Sequence, residues 1–210
     1  MAKPKLILKG KNISQYEGFV FKITGVRASY PHLDKPYAGD DGGEPKFSLT
    51  GLMDKKTHKE AFKILSKGIE DFIASHKTKI ASDKRCLKDG DDTDKDENQG
   101  NWIVSARETK RPSVRDADGE TIDKEDVAEA VYGGCYCDMM IKLWYQKNQY
   151  GKRINANLIA VKFNRDGEAF GEGRIDDEEM WDDDDEDTPS SRGKNKSQVD
   201  DEDDWDDEEL

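Results

Sequence analysis

The order of apolar and polar residues along the chain predicts a body rich in β-strands with one main helix. Stretches that alternate in the manner of strands cover residues 18–30, 46–53 and 102–107. Pro31 is expected to end the first of them, and Gly25 to bend it. Over residues 61–73, apolar side chains recur at three- and four-residue intervals, which predicts an amphipathic helix that starts near Asp54 or Thr57.

Turn residues and charged runs separate these elements. Residues 34–44 and 110–119 are rich in turn-forming residues, and the acidic stretch 83–101 has no periodicity, so all three are predicted to be loops. A short helix is expected over 123–131. The clearest supersecondary signal follows it, because two alternating runs, 136–146 and 153–163, flank a short turn and predict a β-hairpin. A last edge strand is expected after the turn at residues 166–167.

Side chains alternate between the two sides of a strand, so the faces of the predicted hairpin can be separated. The side expected to face the core carries Cys135, Cys137, Met139, Ile141, Leu143 and Tyr145 on the first arm, and Ile154, Ala156, Leu158 and Ala160 on the second. The outward side carries Tyr136, Asp138, Met140, Lys142, Trp144 and Gln146 on the first arm, and Arg153, Asn155 and Asn157 on the second. Aromatic planes with cations beside them suit a flexible polyanion with exposed bases.

This outward surface is the best candidate site in the sequence. The neighbouring strand and the loop after it are expected to extend it with Trp102, Arg107, Lys110, Arg111 and Arg115, and Tyr150 lies at the hairpin tip. The competing interpretation is that Trp144 packs under another element and the cations are ordinary solvated charges. Periodicity alone leaves both interpretations open.

Charge divides the chain into two parts. The 210 residues carry a formal net charge of −13, yet 19 of the 47 acidic residues and only three of the 34 basic ones lie in residues 176–210. The remaining body, residues 1–175, is therefore slightly basic. The predicted organisation is one domain over 1–175, with an acidic loop at 83–101, followed by a disordered acidic tail over 176–210.

Several classes of protein and site find no support. No apolar stretch is long enough to cross a bilayer, and the N-terminus has no secretory signal pattern. Three cysteines are too few for a disulfide framework, and the Cys135–Cys137 spacing lacks a second ligand pair for zinc. The carboxylates at 92, 94 and 96 resemble a calcium loop, but Glu97 stands where that loop needs glycine. No catalytic motif is present, so neither an enzyme nor a cofactor is predicted.

The tail carries tryptophans among its acids, namely Trp181 and Trp205, and Leu210 follows them. A solubilising acidic tail is the simpler interpretation, but tryptophan side chains do not increase solubility, so they suggest a further role. Single-stranded nucleic acid pairs each charge with a stackable base, so the tail resembles it in charge and in stacking. The tail is therefore expected to compete with nucleic acid for the basic surface.

The chain resembles the bacteriophage single-stranded DNA-binding proteins that combine an OB-fold with an acidic C-terminal tail, the replication proteins of short-tailed phages among them. The resemblance is carried, in order, by TGVRASYPHLDKP (24–36), GGEPKFSLTGLM with the following helix (42–73), LKDGD (87–91), KRPSVRDADG (110–119) and YGGCY…GKRINANLIAVKFNRDGEAFG (132–171). It implies a five-stranded Greek-key barrel with one helix, and DNA lying across the strand surface. Among the candidates it favours Trp102, Arg107, Lys142, Trp144 and Tyr150.

The resemblance further implies a tail that contacts replication partners, such as a polymerase or a helicase–primase. The tail would do so through Trp205 and Leu210; the resemblance implies a tail that ends in an aromatic or apolar residue, and this one ends in leucine rather than in an aromatic residue. A homodimer and the cytoplasm of an infected bacterium are compatible with the resemblance, and no membrane contact is implied. The predicted function is sequence-nonspecific coating of single-stranded DNA in phage replication or recombination. The rivals are a DNA mimic or acidic-tailed interaction protein that binds no nucleic acid, and an enzyme with a metal in the 89–97 loop.

Overall fold

The computed structural model describes residues 4–39, 42–149 and 151–170. Within them the strands are β1 (Leu6–Gly10), β2 (Ile13–Tyr16), β3 (Val20–Tyr37), β4 (Lys46–Asp54), β5 (Leu87–Asp89), β6 (Asn101–Glu108), β7 (Ser113–Arg115), β8 (Tyr136–Asn148) and β9 (Gly151–Arg165). The helices are α1 (Lys59–Ser75) and α2 (Val127–Ala130). In this part of the chain, no helix is long and apolar enough to cross a membrane.

The strands form one sheet in the order β5-β6-β4-β3-β8-β9-β7, and the β1–β2 hairpin adds to the edge of β3. The pairs are antiparallel apart from β7 and β9, which run parallel. Strand β6 also packs beside β9, so that β3, β4, β6, β8 and β9 curl into a barrel around a single apolar core. This is the predicted OB-fold, a five-stranded Greek-key barrel with α1 inserted between its second and third strands.

Strand β3 is longer than the sequence predicts and joins both halves of the barrel. The predicted bend at Gly25 is confirmed, because the register with β8 shifts there and the residue has a φ of 71°. The prediction that Pro31 ends the strand is wrong. A second irregularity between Ser29 and His32 loosens the ladder with β4, so a residue without an N–H is tolerated and the strand continues to Tyr37.

The predicted amphipathic helix is confirmed, but its start is displaced. His58 is the N-cap and helix α1 begins at Lys59, whereas the Asp54 carboxylate accepts the backbone N–H groups of Lys56 and Thr57 and closes the preceding turn. One side of the helix is buried against the barrel: Ala61, Leu65, Gly68, Ile69, Phe72 and Ile73.

The predicted hairpin is confirmed as β8 and β9, with the core and outward faces of β8 as expected. On β9 the inward assignment of Ala160 is wrong. Met140 pairs with Ala160 and Ile141 with Leu158, so Ile159 is an extra, bulged residue that shifts the alternation. Ala160 therefore joins the outward side, and Val161 is buried in its place.

Other segments differ from the sequence-based expectations. The 110–119 loop contains β7, which covers the edge of β9, whereas no strand follows β9 within residues 166–170. The acidic stretch 83–101 contains β5 and short 3₁₀ turns. The predicted boundary at residues 175/176 and the predicted disorder of the tail lie outside the described residues.

Candidate nucleic-acid interface

The outward side of the β8–β9 hairpin, here called the hairpin face, brings together most of the residues predicted on it. Cross-strand pairs place Trp144 beside Asn155, Lys142 beside Asn157, and Gln146 beside Arg153. Lys142 and Arg153 are exposed, and Trp144 is half-buried. Long cations therefore flank an indole on one strand surface, which is the arrangement that stacking and phosphate contacts need.

Tyr136 lies at the end of the hairpin face that is farthest from the hairpin tip. The Arg165 guanidinium lies 3.6 Å from the centre of the Tyr136 ring. Arg27, paired with Tyr136 across the strands, donates a hydrogen bond of 3.1 Å to the carbonyl of Gly134 and lies 4.2 Å over the ring of Phe170. Both cations are thus already in contact with aromatic rings at this end.

A carboxylate interrupts the positive charge of the hairpin face. Asp138 accepts hydrogen bonds from the backbone N–H of Gly25 at 3.1 Å and from the Asn164 amide at 2.6 Å. It also forms an ion pair with Lys22 at 3.3 Å. Lys22 is therefore neutralised locally, whereas Lys142 and Arg153 are exposed and lie toward the hairpin tip. Tyr150, at that tip, lies outside the described residues, as do Trp205 and Leu210.

Trp102 does not lie on the hairpin face, and the prediction that it shares a surface with Arg107 is wrong. The two residues are five positions apart on β6, so they point to opposite sides of the strand. The indole of Trp102 stacks on the ring of Phe62 in α1, with centroids 4.1 Å apart and planes 11° from parallel. It borders a cavity of about 460 Å³ between α1 and residues 82–93. Arg107 is exposed on the outer side of β6.

The three cations of the 110–115 segment differ in how far their charged groups are already held by contacts within the protein. Arg111 donates to the carbonyl oxygens of Leu33 and Asp34, and its guanidinium lies 5.0 Å over the Phe47 ring. It ties the loop to β3, so its charge is not free for phosphate in this arrangement. Arg115 donates to the Gly119 carbonyl at 2.6 Å, and Lys110 is exposed.

A second outer surface, formed by β4, β6 and the second half of β3, was not found from the sequence apart from Arg107. Its cross-strand rows are His32–Ser48–Arg107 and Ser29–Thr50–Ser105. We call it the β4–β6 face. The signal was present in part, since polar residues alternate along both strands except at Leu52 on β4 and Ile103 on β6. Ser48, Thr50 and Ser105 give this face small accessible hydroxyl side chains, whereas Ser29 is only 1% exposed.

Exposed tyrosines on β3 border the β4–β6 face. Tyr30 and Tyr37 are 55% and 49% exposed, and the Tyr37 ring stacks on His32 with centroids 4.6 Å apart. The sequence pattern predicts Tyr30 at the end of a strand and Tyr37 in a loop. Because β3 continues past Pro31, both lie on the sheet instead.

One cross-strand row joins the hairpin face to the β4–β6 face. It runs over six strands through Arg165, Tyr136, Arg27, Leu52, Ile103 and Lys88. The two surfaces are therefore parts of one continuous outer side of the barrel, which a polymer could follow.

The acidic loop and the cysteines show ordinary structural roles. The Lys55 ammonium binds the carboxylates of both Asp89 and Asp91, and these contacts raise the pKa of Lys55 and lower that of Asp91. Among the described residues, no group of three His, Cys, Asp or Glu side chains could hold a metal ion. Cys86, Cys135 and Cys137 are buried free thiols, and burial raises the pKa of Cys86 to about 12.

An OB-fold barrel whose outer strand surface carries cations, hydroxyls and exposed aromatic rings defines a class of proteins that bind oligonucleotides or oligosaccharides across their strands. The family model described as "Enterobacter phage Enc34, ssDNA-binding protein" matches residues 20–189. The chain belongs to this family of phage single-stranded DNA-binding proteins.

The chain is similar to three individual phage proteins. The single-stranded DNA-binding protein of bacteriophage Enc34, solved in complex with ssDNA, is 45% identical, with a TM-score of 0.77 over 81% of this chain and 100% of that one. Protein p50 of Acyrthosiphon pisum secondary endosymbiont phage 1 is 29% identical over 77% of this chain and 92% of its own length. The bacteriophage T7 protein gp2.5, at 15% identity and a TM-score of 0.53 over 75% of this chain and 97% of that one, shares the fold.

Proposed function

We propose that this protein binds single-stranded DNA without sequence preference and coats it during phage replication or recombination. The observation that carries the proposal is the hairpin face, where the Trp144 indole lies between the exposed cations Lys142 and Arg153 on an OB-fold barrel. The similarity to the Enc34 protein, whose structure was solved with ssDNA, supports it.

The chemistry of such binding needs no base-specific contact. Lysine and arginine replace the counterions of the phosphates, which makes the affinity depend on salt. Indole and phenol rings stack on any base at about 1–3 kcal/mol each. Lys142, Arg153 and Arg107 are the cations that we assign to phosphates, and Trp144 is the stacking residue.

Two tryptophan variants test the proposal with a matched control. The full-length protein is titrated into fluorescent oligo-dT at low salt and the anisotropy is measured. Trp144→Ala should weaken binding about 5- to 150-fold, the equivalent of one lost base stack. Trp102→Phe should leave the affinity within twofold, because that ring packs on Phe62 and not on the outer side of the barrel.

The same titration decides against the proposal as well. Wild-type protein that fails to shift a long dT oligonucleotide at micromolar concentration would exclude it and favour a DNA mimic or another acidic interaction protein. Equal losses in both tryptophan variants would mean that the hairpin face is not the binding surface.

We further propose that residues 176–210 compete with DNA and dock replication partners such as a polymerase or a helicase–primase. Nineteen acidic residues with Trp181 and Trp205 among them support this, because they offer charge and stackable rings as single-stranded DNA does. Truncation after Ile175 should raise the affinity for oligo-dT at low salt, and less so at high salt, where charges are screened. An unchanged affinity at low salt would exclude the competition and leave the docking role to a pull-down.

The cell compartment that fits this function is the cytoplasm of an infected bacterium. A homodimer is compatible with the family resemblance, and neither an enzymatic step nor a cofactor is part of the proposed function.

A further inference from the structure

Tyr30 adopts an unusual backbone conformation at the border of the β4–β6 face. Its φ is 46°, in the left-handed region that residues with a side chain rarely enter. It lies in the irregular stretch of β3 between Ser29 and His32, where the pairing with β4 shifts. The exposed aromatic ring of Tyr30 therefore lies on a strained backbone, and such strain is common at ligand-binding sites.

The Tyr30 side chain reaches across the sheet to the acidic loop. Its hydroxyl donates a hydrogen bond of 3.1 Å to the Glu97 carboxylate, and the Lys95 ammonium lies 4.0 Å from the centre of its ring. Residues 95 and 97 precede β6, and β4 lies between β3 and β6. The Tyr30–Glu97 contact therefore bridges over β4 on the outer side of the barrel.

The bridge lies on the same outer side of the barrel as the row that joins the two outer surfaces. By register Leu52 and Ile103 point to this outer side, yet they are only 2% and 7% exposed. Apolar side chains on the outer side are thus covered in this arrangement. More than half of Tyr30 stays exposed, although a cation covers one face of its ring.

We infer that Tyr30 forms a nucleobase subsite whose occupation is opposed by Glu97 and assisted by Lys95. This inference rests on the proposed binding of single-stranded DNA and names a contact outside the hairpin face. The Glu97 carboxylate occupies the position of an anion beside Lys95 and the tyrosine ring, as a phosphate would. When DNA enters, its phosphate takes the Lys95 ammonium and repels Glu97, and the base stacks on the released ring.

Three variants of the full-length protein test the subsite by oligo-dT anisotropy. Tyr30→Ala should weaken binding about 5- to 150-fold through the lost stack. Tyr30→Phe keeps the ring and removes the hydrogen bond to Glu97, so its affinity should equal or exceed that of the wild type. Glu97→Gln removes a charge that opposes the phosphates and should strengthen binding about two- to fivefold.

The outcomes separate the subsite from a purely structural bridge. If the bridge only holds the loop in place, Tyr30→Phe and Glu97→Gln should weaken binding as much as Tyr30→Ala does, which would overturn the inference. Tyr30→Ala binding within twofold of wild type would also overturn it. If Trp144→Ala still weakens binding in that case, the proposed function stands and only the subsite is lost.

A cross-linking experiment does not depend on the folding of any variant. Wild-type protein is irradiated on an oligonucleotide that contains bromodeoxyuridine, and the linked residues are mapped by mass spectrometry. A cross-link at Tyr30 is expected. Cross-links at other residues with none at Tyr30 would refute the subsite, and no DNA binding at all would instead refute the proposed function.

Discussion

The sequence predicts both Arg107 and Arg111 as DNA-binding residues, but replacing each by alanine should change a different property of the protein. The exposed Arg107 side chain has no hydrogen-bond or ion-pair partner within the part of the chain that the structure describes. Arg111 donates to two backbone carbonyls of β3 and lies over Phe47. We therefore expect Arg107→Ala to change DNA binding and Arg111→Ala to change stability.

The size of each effect can be estimated. One phosphate contact on a single strand contributes about 0.7 to the slope of log affinity against log salt. When the salt concentration rises fourfold, from about 50 to 200 mM, the affinity of both proteins falls. The factor by which it falls should be roughly 2.6 times smaller for Arg107→Ala than for the wild type. Hydrogen bonds from a charged donor contribute about 1.5–3 kcal/mol, so Arg111→Ala should lower the free energy of unfolding by that amount.

Two measurements on each variant decide the matter. Anisotropy titrations with oligo-dT at several salt concentrations give the slope, and urea unfolding gives the stability, where the Arg111→Ala midpoint should fall by about 1 M. Arg107→Ala should unfold like the wild type. The reasoning fails if Arg111→Ala unfolds normally and lowers the salt slope as much as Arg107→Ala, because Arg111 would then be a phosphate contact and not a tie to β3.

Two further predictions concern the packing around the site. Gly134 has a φ of 113°, and a Cβ placed there would lie 2.1 Å from the Glu168 carbonyl oxygen. Gly134→Ala should therefore lower the free energy of unfolding by about 1–3 kcal/mol and lower the melting temperature. An unchanged melting temperature would show that residues 165–170 do not pack there. Lys55 lowers the pKa of Asp91, so its stabilisation is present above the unfolded pKa of about 3.8 and is lost as pH falls through the folded value. The melting temperature of Lys55→Met should therefore lie below that of the wild type at pH 7, and the difference should shrink below about pH 4, whereas a gap that stays constant with pH would exclude this ion pair as its source.

The spacing of apolar residues within single elements is enough to predict much of the fold. Alternation separated the two faces of β8, and the helical spacing identified the buried side of α1. These predictions succeeded because burial imposes its period directly on neighbouring residues of one element. For the same reason Lys142, Trp144 and Arg153 could be assigned to one surface from the sequence.

The wrong predictions concern positions where the course of a strand depends on its pairing with a neighbouring strand. The bulge at Ile159 reversed the assignment of Ala160, and the irregularity near Tyr30 carried β3 past Pro31. A bulge inserts one residue, so every side chain after it in the strand points to the opposite face of the sheet. The local alternation of residues does not indicate where a bulge occurs. The exposed tyrosines of β3 were not assigned to the sheet surface for this reason.

The sequence by itself determined the division into a basic body and an acidic segment, the hairpin, and the residue types available for binding. Only the tertiary structure decided which cations are free and which rings are covered. Arg111 is held by a carbonyl 78 residues earlier in the chain, and Trp102 is covered by a helix that folds back over β6. Periodicity reports what a residue's own element buries, whereas the availability of a side chain depends on distant segments that the fold brings to it.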